Sequence, residues 1–323
     1  MEERPSGEAR QGVRGMETIR AAVGHYPHTA SLHGTAIALD DRTELVVDSL
    51  STAGGFGQIL GELRYDVFEV PIVSFLVAQQ QGIPVVAAPL FVTRRFHQSR
   101  LLLNRSTGVT GPADLAGRNA GIRYHGFTDG TWARGILSHD FGLDPGQVTW
   151  VTAAPETVAG APLPPNVRPS LGASLDDLLR EGELSALILE AGRTVEGAGI
   201  EPIFPDAAAA EEAWFHATGV VPINHLIAIQ QRVLEVYPRL VDQLFDVFSA
   251  AKRQGIMNLS RSPEAGSEEA NLVRLQTFLG DDPMPYGLDD NRAPLEMIFQ
   301  LALDQQVITT PVDLATVFAT PIV

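Results

Sequence analysis

Histidine and arginine carry most of the chemistry this sequence can offer. Eight histidines stand in a chain of 323 residues with no cysteine, which excludes disulfides, thiolate nucleophiles and thiolate metal sites. A histidine gives or takes a proton near neutral pH. An arginine presents a planar fork of N–H groups that matches the two oxygens of a carboxylate. Ligands of α/β sheets sit beyond the carboxyl ends of strands, and the apolar runs of the chain place six segments there: 25–29, 49–55, 69–74, 93–97, 124–129 and 190–193. These segments hold His25, Tyr26 and His28 after the first strand, Glu69 and Ser74 around the third, Arg94 and His97 after the fourth, and His125 three residues before Thr128. Thr128 falls at a helix start, where unpaired backbone N–H groups and the positive end of the peptide dipoles favour an anion. The combination describes a pocket that closes on a small anion, and leaves open whether the protein carries that anion or transforms it. Arg95 and Arg123 are weaker candidates for the anion contact, Asp129 reads as a residue compensating the helix dipole, and His33, His139 and His216 read as structural.

Other chemistries lack their signatures. There is no Gly-x-Gly-x-x-Gly, no Walker loop, no Gly-x-Ser-x-Gly and no helical His-Glu-x-x-His. His25-x-x-His28 lies in a loop, so a divalent metal is a secondary reading and no cofactor is expected. The run Ser51 to Gly55 (STAGG) would wrap an anion or simply turn. A net charge of −16 repels nucleic-acid phosphates and anionic membranes. No run approaches the roughly 20 apolar residues of a membrane span. The N-terminal residues 1–15, MEERPSGEARQGVRG, are polar, without the apolar core of a secretory signal, and read as a disordered leader; the expectation is a cytoplasmic protein.

Hydrophobic residues make up 45% of the chain, enough for one large or two modest domains. Strand-like runs alternate with helical ones: Thr18 to Val23, Glu44 to Asp48, Val67 to Pro71 and Val85 to Val92 as strands, with helices over Phe56 to Gly61 and Val73 to Gln81. This β-α-β order predicts parallel strands. A second block repeats the theme, with strands at Leu101 to Asn104, Ala120 to Arg123, Val148 to Thr152 and Leu184 to Leu189. Its helices are Thr128 to Phe141, stopped by Gly142, and Leu175 to Glu181, capped by Ser174. Val220 to Ile229 is apolar enough to be a strand returning to the first block. The C-terminal third is helical over Arg232 to Leu259, Glu268 to Leu279 and Ala293 to Gln305, offering faces on which a homo-oligomer would pack.

The stretch from Leu90 to Ile136 resembles the segment by which two-lobed proteins of the type II periplasmic-binding fold first cross between lobes. The chain after Met16 further resembles the 4,5-dihydroxyphthalate decarboxylase family, on YDVFEVPIVSFL, PLFVTRRFHQS, ARGIL with its upstream Thr128, IFPDAAAAEEAWFHATGVVPINH and GDDPMPYGLDDNR. It departs from the family at His25 to Thr29, His97 to Ser99 and Arg123 to Thr128, so the scaffold is kept while the pocket lining changes. The resemblance implies an α/β fold of two lobes, each a mixed, mostly parallel sheet flanked by helices, with a long helical C-terminal region. Lobe 1 would comprise residues 16–100 and 228–323 and lobe 2 residues 101–227, with the ligand cleft between them. It also implies a cofactor-independent carboxy-lyase acting on a small anionic hydroxylated aromatic acid such as a hydroxyphthalate. His225, in VPINH, matches a family histidine and would be the acid protonating the ring carbon, with His125 and His28 as further candidates; Arg94 matches a family arginine and would clamp a carboxylate. Tyr26, Glu69, Ser74, His25, His97 and Thr128 would complete the substrate contacts. The alternatives are a non-catalytic solute-binding protein for a small carboxylate and a cytoplasmic dehydratase or other lyase on the same fold.

Overall fold

The computed structural model describes residues 16–50 and 55–319. The expected leader at 1–15 and most of the STAGG run lie outside them. Among the described residues, twelve strands form two six-stranded sheets. They are β1 (Glu17–Val23), β2 (Ile37–Ala38), β3 (Thr43–Ser49), β4 (Val67–Pro71), β5 (Val85–Arg94), β6 (Leu101–Asn104), β7 (Asn119–Ile122), β8 (Thr149–Thr152), β9 (Val167–Pro169), β10 (Ala186–Ile188), β11 (Ile200–Pro202) and β12 (Ile223–Gln230). The first sheet runs β2-β3-β1-β4-β12-β5 and the second β11-β6-β10-β7-β8-β9.

The β-α-β expectation holds for direction but not for adjacency. β4 and β5 point the same way, yet β12 lies between them and pairs antiparallel with both. β6 likewise runs against its neighbours β10 and β11 in the second sheet. Strands β4 and β5 are buried almost residue for residue, because helices cover both faces of the sheet.

The helix Thr128–Phe141 stands where its sequence signals put it. Gly142 ends it in the left-handed region, at φ 66°, a conformation that favours glycine. Its residues 128–137 are all buried. The indole of Trp132 donates to the Ile223 carbonyl at 2.8 Å, tying this helix to the returning strand β12. One apolar cluster continues from Phe68, Val70 and Phe91 of the first sheet through the helices Ile72–Gln80 and Thr128–Phe141 to Ile122 and Trp150 of the second. A second cluster seats the helix Leu240–Met257 on the first sheet through Leu240, Leu244 and Phe248.

The expected single helix from Arg232 to Leu259 is two, Gln231–Val236 and Leu240–Met257. Pro238 causes the break. It lacks an N–H and forces the residue before it out of helical geometry, and Tyr237 accordingly sits at φ −122°, ψ 72°. The helix Ala207–Thr218, capped by Asp206 and absent from the expected elements, fills the alanine-rich stretch before β12. Among the described residues no helix is long and apolar enough to cross a membrane.

Candidate active site

A cavity of about 700 Å³ opens between the carboxyl ends of the two sheets. Tyr26, Pro71, Arg95, Asn224 and His225 line it from the first sheet and the crossing segments; Arg123, Tyr124, Phe127, Thr128, Asp129, Glu156 and Glu190 line it from the second. The helix Gly55–Glu62 and the segment after β8 close one side of it. They meet so tightly that a side chain at Gly57 would press to 3.1 Å of the Thr157 carbonyl oxygen.

The register of the first sheet builds the histidine site. His225 pairs with Pro71 and Ile227 with Glu69, so Glu69 lies diagonal to His225 on one face. The Glu69 carboxyl is fully buried and accepts three hydrogen bonds, from His225 Nδ1 at 2.6 Å, the Tyr26 hydroxyl at 2.6 Å and the Gly24 amide at 2.7 Å. Burial alone pushes this carboxyl up, but the contacts with His225, Tyr26 and Gly24 bring it below the ordinary glutamate value. Burial, and then the charge of Glu69, push the Tyr26 phenol up, so it stays protonated and donates. With Nδ1 committed to Glu69, Nε2 is the nitrogen of His225 left for a ligand. The ring of Phe56 packs edge-on against His225 at 5.1 Å.

Two helix starts wall the cavity. The helices Ile72–Gln80 and Thr128–Phe141 both begin at the cavity, and neither N-cap residue, Pro71 or Phe127, closes its start with a side chain. Thr128 Oγ1 accepts from the Val73 amide at 3.2 Å, linking the two starts and leaving the hydroxyl proton for another acceptor. Arg95 and Arg123 add positive charge, one from each side, held at 2.8 Å by Glu268 and at 2.6 Å by Glu190.

Several sequence candidates do not reach the cavity. Arg94 is the clearest correction. It is the last residue of β5, and adjacent strand residues face opposite sides, so Arg94 is buried toward Asn291, whose side-chain oxygen accepts from it, while Arg95 lines the cavity. Burial lowers the Arg94 guanidinium to about 10. His28 is buried with Nε2 on the Val92 carbonyl at 2.9 Å, and burial lowers it to about 4. His125 is turned away; its Nδ1 lies 2.9 Å from Arg134, which can only donate, and burial with that charge lowers it to about 3. Neither is a proton donor near neutral pH. His97 is buried in the crossing segment beside Asn224 and lowered by burial to about 3. Ser74 is buried behind the cavity wall, and His25 is exposed against the ring of His33.

Asn224 and Glu156 were not singled out from sequence, and Asp129 was read only as a residue compensating the helix dipole. Asn224 donates to Asp129 at 2.6 Å, and Arg100 pairs with the other carboxylate oxygen. Burial works to raise Asp129, but the charge of Arg100, with Arg95 adding to it, holds it down at about 2, so it is ionised. This network fastens both crossing segments to the start of helix Thr128–Phe141.

The architecture is that of the type II periplasmic-binding fold. Among solved structures the chain is similar to the aliphatic sulphonate binding protein SsuA of Escherichia coli, with a TM-score of 0.56 at 12% identity over 95% of this chain and 93% of that one. The alkanesulfonate-binding protein SsuA of Xanthomonas axonopodis pv. citri, bound to MOPS, gives 0.51 at 14% identity over 94% and 99%. The desulfurization enzyme DSZB gives 0.52 at 16% identity over 94% and 96%. No family model matches the chain. The resemblance to the 4,5-dihydroxyphthalate decarboxylases is borne out by sequence: the enzyme of Comamonas testosteroni is 25% identical over 243 residues, 70% of this chain and 74% of that protein. The enzyme of that name from Pseudomonas putida is 33% identical over 88 residues, 27% of this chain and 34% of that protein.

Proposed function

We propose that the protein is a carboxy-lyase that decarboxylates a hydroxylated aromatic dicarboxylate such as 4,5-dihydroxyphthalate, with His225 as the general acid. One observation carries the reading: a histidine fastened through Nδ1 to a buried, multiply bonded carboxylate faces a cavity walled by two helix starts. Similarity to enzymes named 4,5-dihydroxyphthalate decarboxylase supports it.

Decarboxylating an arene requires a proton at the ring carbon that bears the carboxylate, followed by loss of CO₂ as aromaticity returns. The helix starts and Arg95 or Arg123 would hold the carboxylates. Glu69 would fix the orientation of the imidazole, while Nε2 delivers the proton. Closure of the sheets over the ligand would replace water with these fixed dipoles.

The direct test is incubation with 4,5-dihydroxyphthalate in D₂O, following CO₂ and the ring protons of the product by NMR. Deuterium at the vacated carbon is the expected result. Tight binding without CO₂ would replace the enzyme by a carrier. The step as written uses only side chains of this chain, so turnover should survive dialysis against a chelator; its loss, restored by a divalent cation, would call for a metal.

A further inference from the structure

Four carboxylates line the cavity among the described residues: Asp129, Glu156, Glu190 and Glu268. Three are paired with arginines, Asp129 with Arg100, Glu190 with Arg123 and Glu268 with Arg95. Glu156 is held differently. Its two oxygens accept from the backbone amides of His125, at 2.7 Å, and Gly126, at 2.9 Å. Those bonds fix the carboxylate and leave each oxygen a lone pair for a further donor. Arg134, the cation whose charge bears on it, is turned to the His125 ring and carbonyl instead.

Glu156 follows β8 in the second sheet, whereas His225 belongs to β12 in the first, yet both line the same cavity. We propose that Glu156 is the catalytic base that takes the proton of the substrate's ring hydroxyl while His225 protonates the carbon bearing the carboxylate. This rests on the decarboxylase reading above. The phenolic O–H bond breaks and its proton goes to Glu156. The oxygen electron pair enters the ring, and the carboxylate-bearing carbon forms a C–H bond with the proton from His225. The ring–carboxylate bond then breaks, CO₂ leaves, and the returning electron pair restores an aromatic phenolate. Glu156 gives its proton back to that oxygen, and His225 takes a new one from solvent. The net change consumes one proton and releases one CO₂. Burial pushes the Glu156 carboxyl above its ordinary value, against the pull of the two amides and Arg134, which makes it a stronger base. Acid and base come from different sheets, so closure would assemble the pair.

The test is a cycle of two changes, Glu156→Gln in the protein and methylation of the hydroxyls in the substrate. On 4,5-dihydroxyphthalate, E156Q should lose about 100-fold or more in kcat, the usual size of a general-base contribution, while keeping ligand-induced thermal stabilisation. On 4,5-dimethoxyphthalate, which has no proton to give, wild type should be slow and E156Q no slower. Turnover of the dihydroxy compound by E156Q within about threefold of wild type would overturn the proposal, as would an equal loss on both compounds. If E156Q does not fold, E156D and the wild-type comparison decide: wild type processing the dimethoxy compound as fast as the dihydroxy one removes the base. Wild-type turnover with no effect of E156Q sinks this inference alone, whereas no CO₂ from wild type removes the decarboxylase reading and this one with it.

Discussion

Replacing Glu69 by glutamine changes one atom and removes one charge at the point on which the proposed chemistry turns. Glu69 Oε1 accepts from both Tyr26 and His225, and Oε2 accepts from the Gly24 amide. A glutamine cannot accept from all three. With its oxygen at the first position, its NH₂ faces the Gly24 N–H, donor against donor. With the amide flipped, the NH₂ faces Tyr26 and His225, and His225 must then accept at Nδ1 and carry its proton on Nε2. Either way at least one hydrogen bond to a charged acceptor is lost in a fully buried position, a cost of about 1.5–3 kcal/mol. For a chain of this size that predicts a fall in Tm of roughly 2–5 °C. Turnover should suffer more than stability, because the buried charge that holds the imidazole for protonation is gone; a loss in kcat of about 100-fold or more is expected, with KM little changed. Calorimetry and CO₂ release measure the two effects. A variant that is destabilised but turns over as fast as wild type would refute the reasoning: Glu69 would then be a structural anchor, and His225 would not be an acid oriented by it. The pH dependence gives a further check. Glu69 is depressed in the folded state, so its contribution to stability is present above the ordinary value of 4.5 and is lost as pH falls through the lower folded value. The Tm gap between wild type and E69Q should therefore narrow in acid.

His225→Asn should abolish CO₂ release while ligand-induced thermal stabilisation persists; unchanged turnover would remove His225 from the acid role. Arg95→Met should weaken binding of a carboxylate ligand by about 10–100-fold in calorimetric titration, whereas Arg94→Met should leave the Kd alone and lower stability by about 1–3 kcal/mol, because Asn291 loses its partner. The opposite pattern would restore Arg94 to the cavity. His28, His97 and His125 are held neutral by burial, at about 4, 3 and 3 against 6.5 when unfolded. The unfolded chain therefore binds more protons, and stability should fall as pH drops below about 6.5, before the carboxylates titrate. A urea midpoint flat from pH 7 to 5 would contradict that burial.

The sequence by itself determined the local elements. The apolar runs of β4 and β5 and the helix Thr128–Phe141 with its Gly142 stop follow from periodicity and backbone sterics, which act over a few residues. The break at Pro238 had a local cause as well, since proline acts on its immediate neighbour, although the apolar spacing read as one helix through it. Which side chains face the cavity was decided by tertiary structure alone. Arg94 and Arg95 are equivalent as composition, and a register offset of one residue sends one to the core and the other to the cleft. The pairing of His225 with Glu69 joins residues 156 positions apart. It exists because β12 inserts between β4 and β5, a placement set by the packing of whole sheets and not by any local signal. Glu156 stayed hidden in a proline-rich loop for the same reason: its partners are backbone amides some thirty residues away, and only the fold brings them to it.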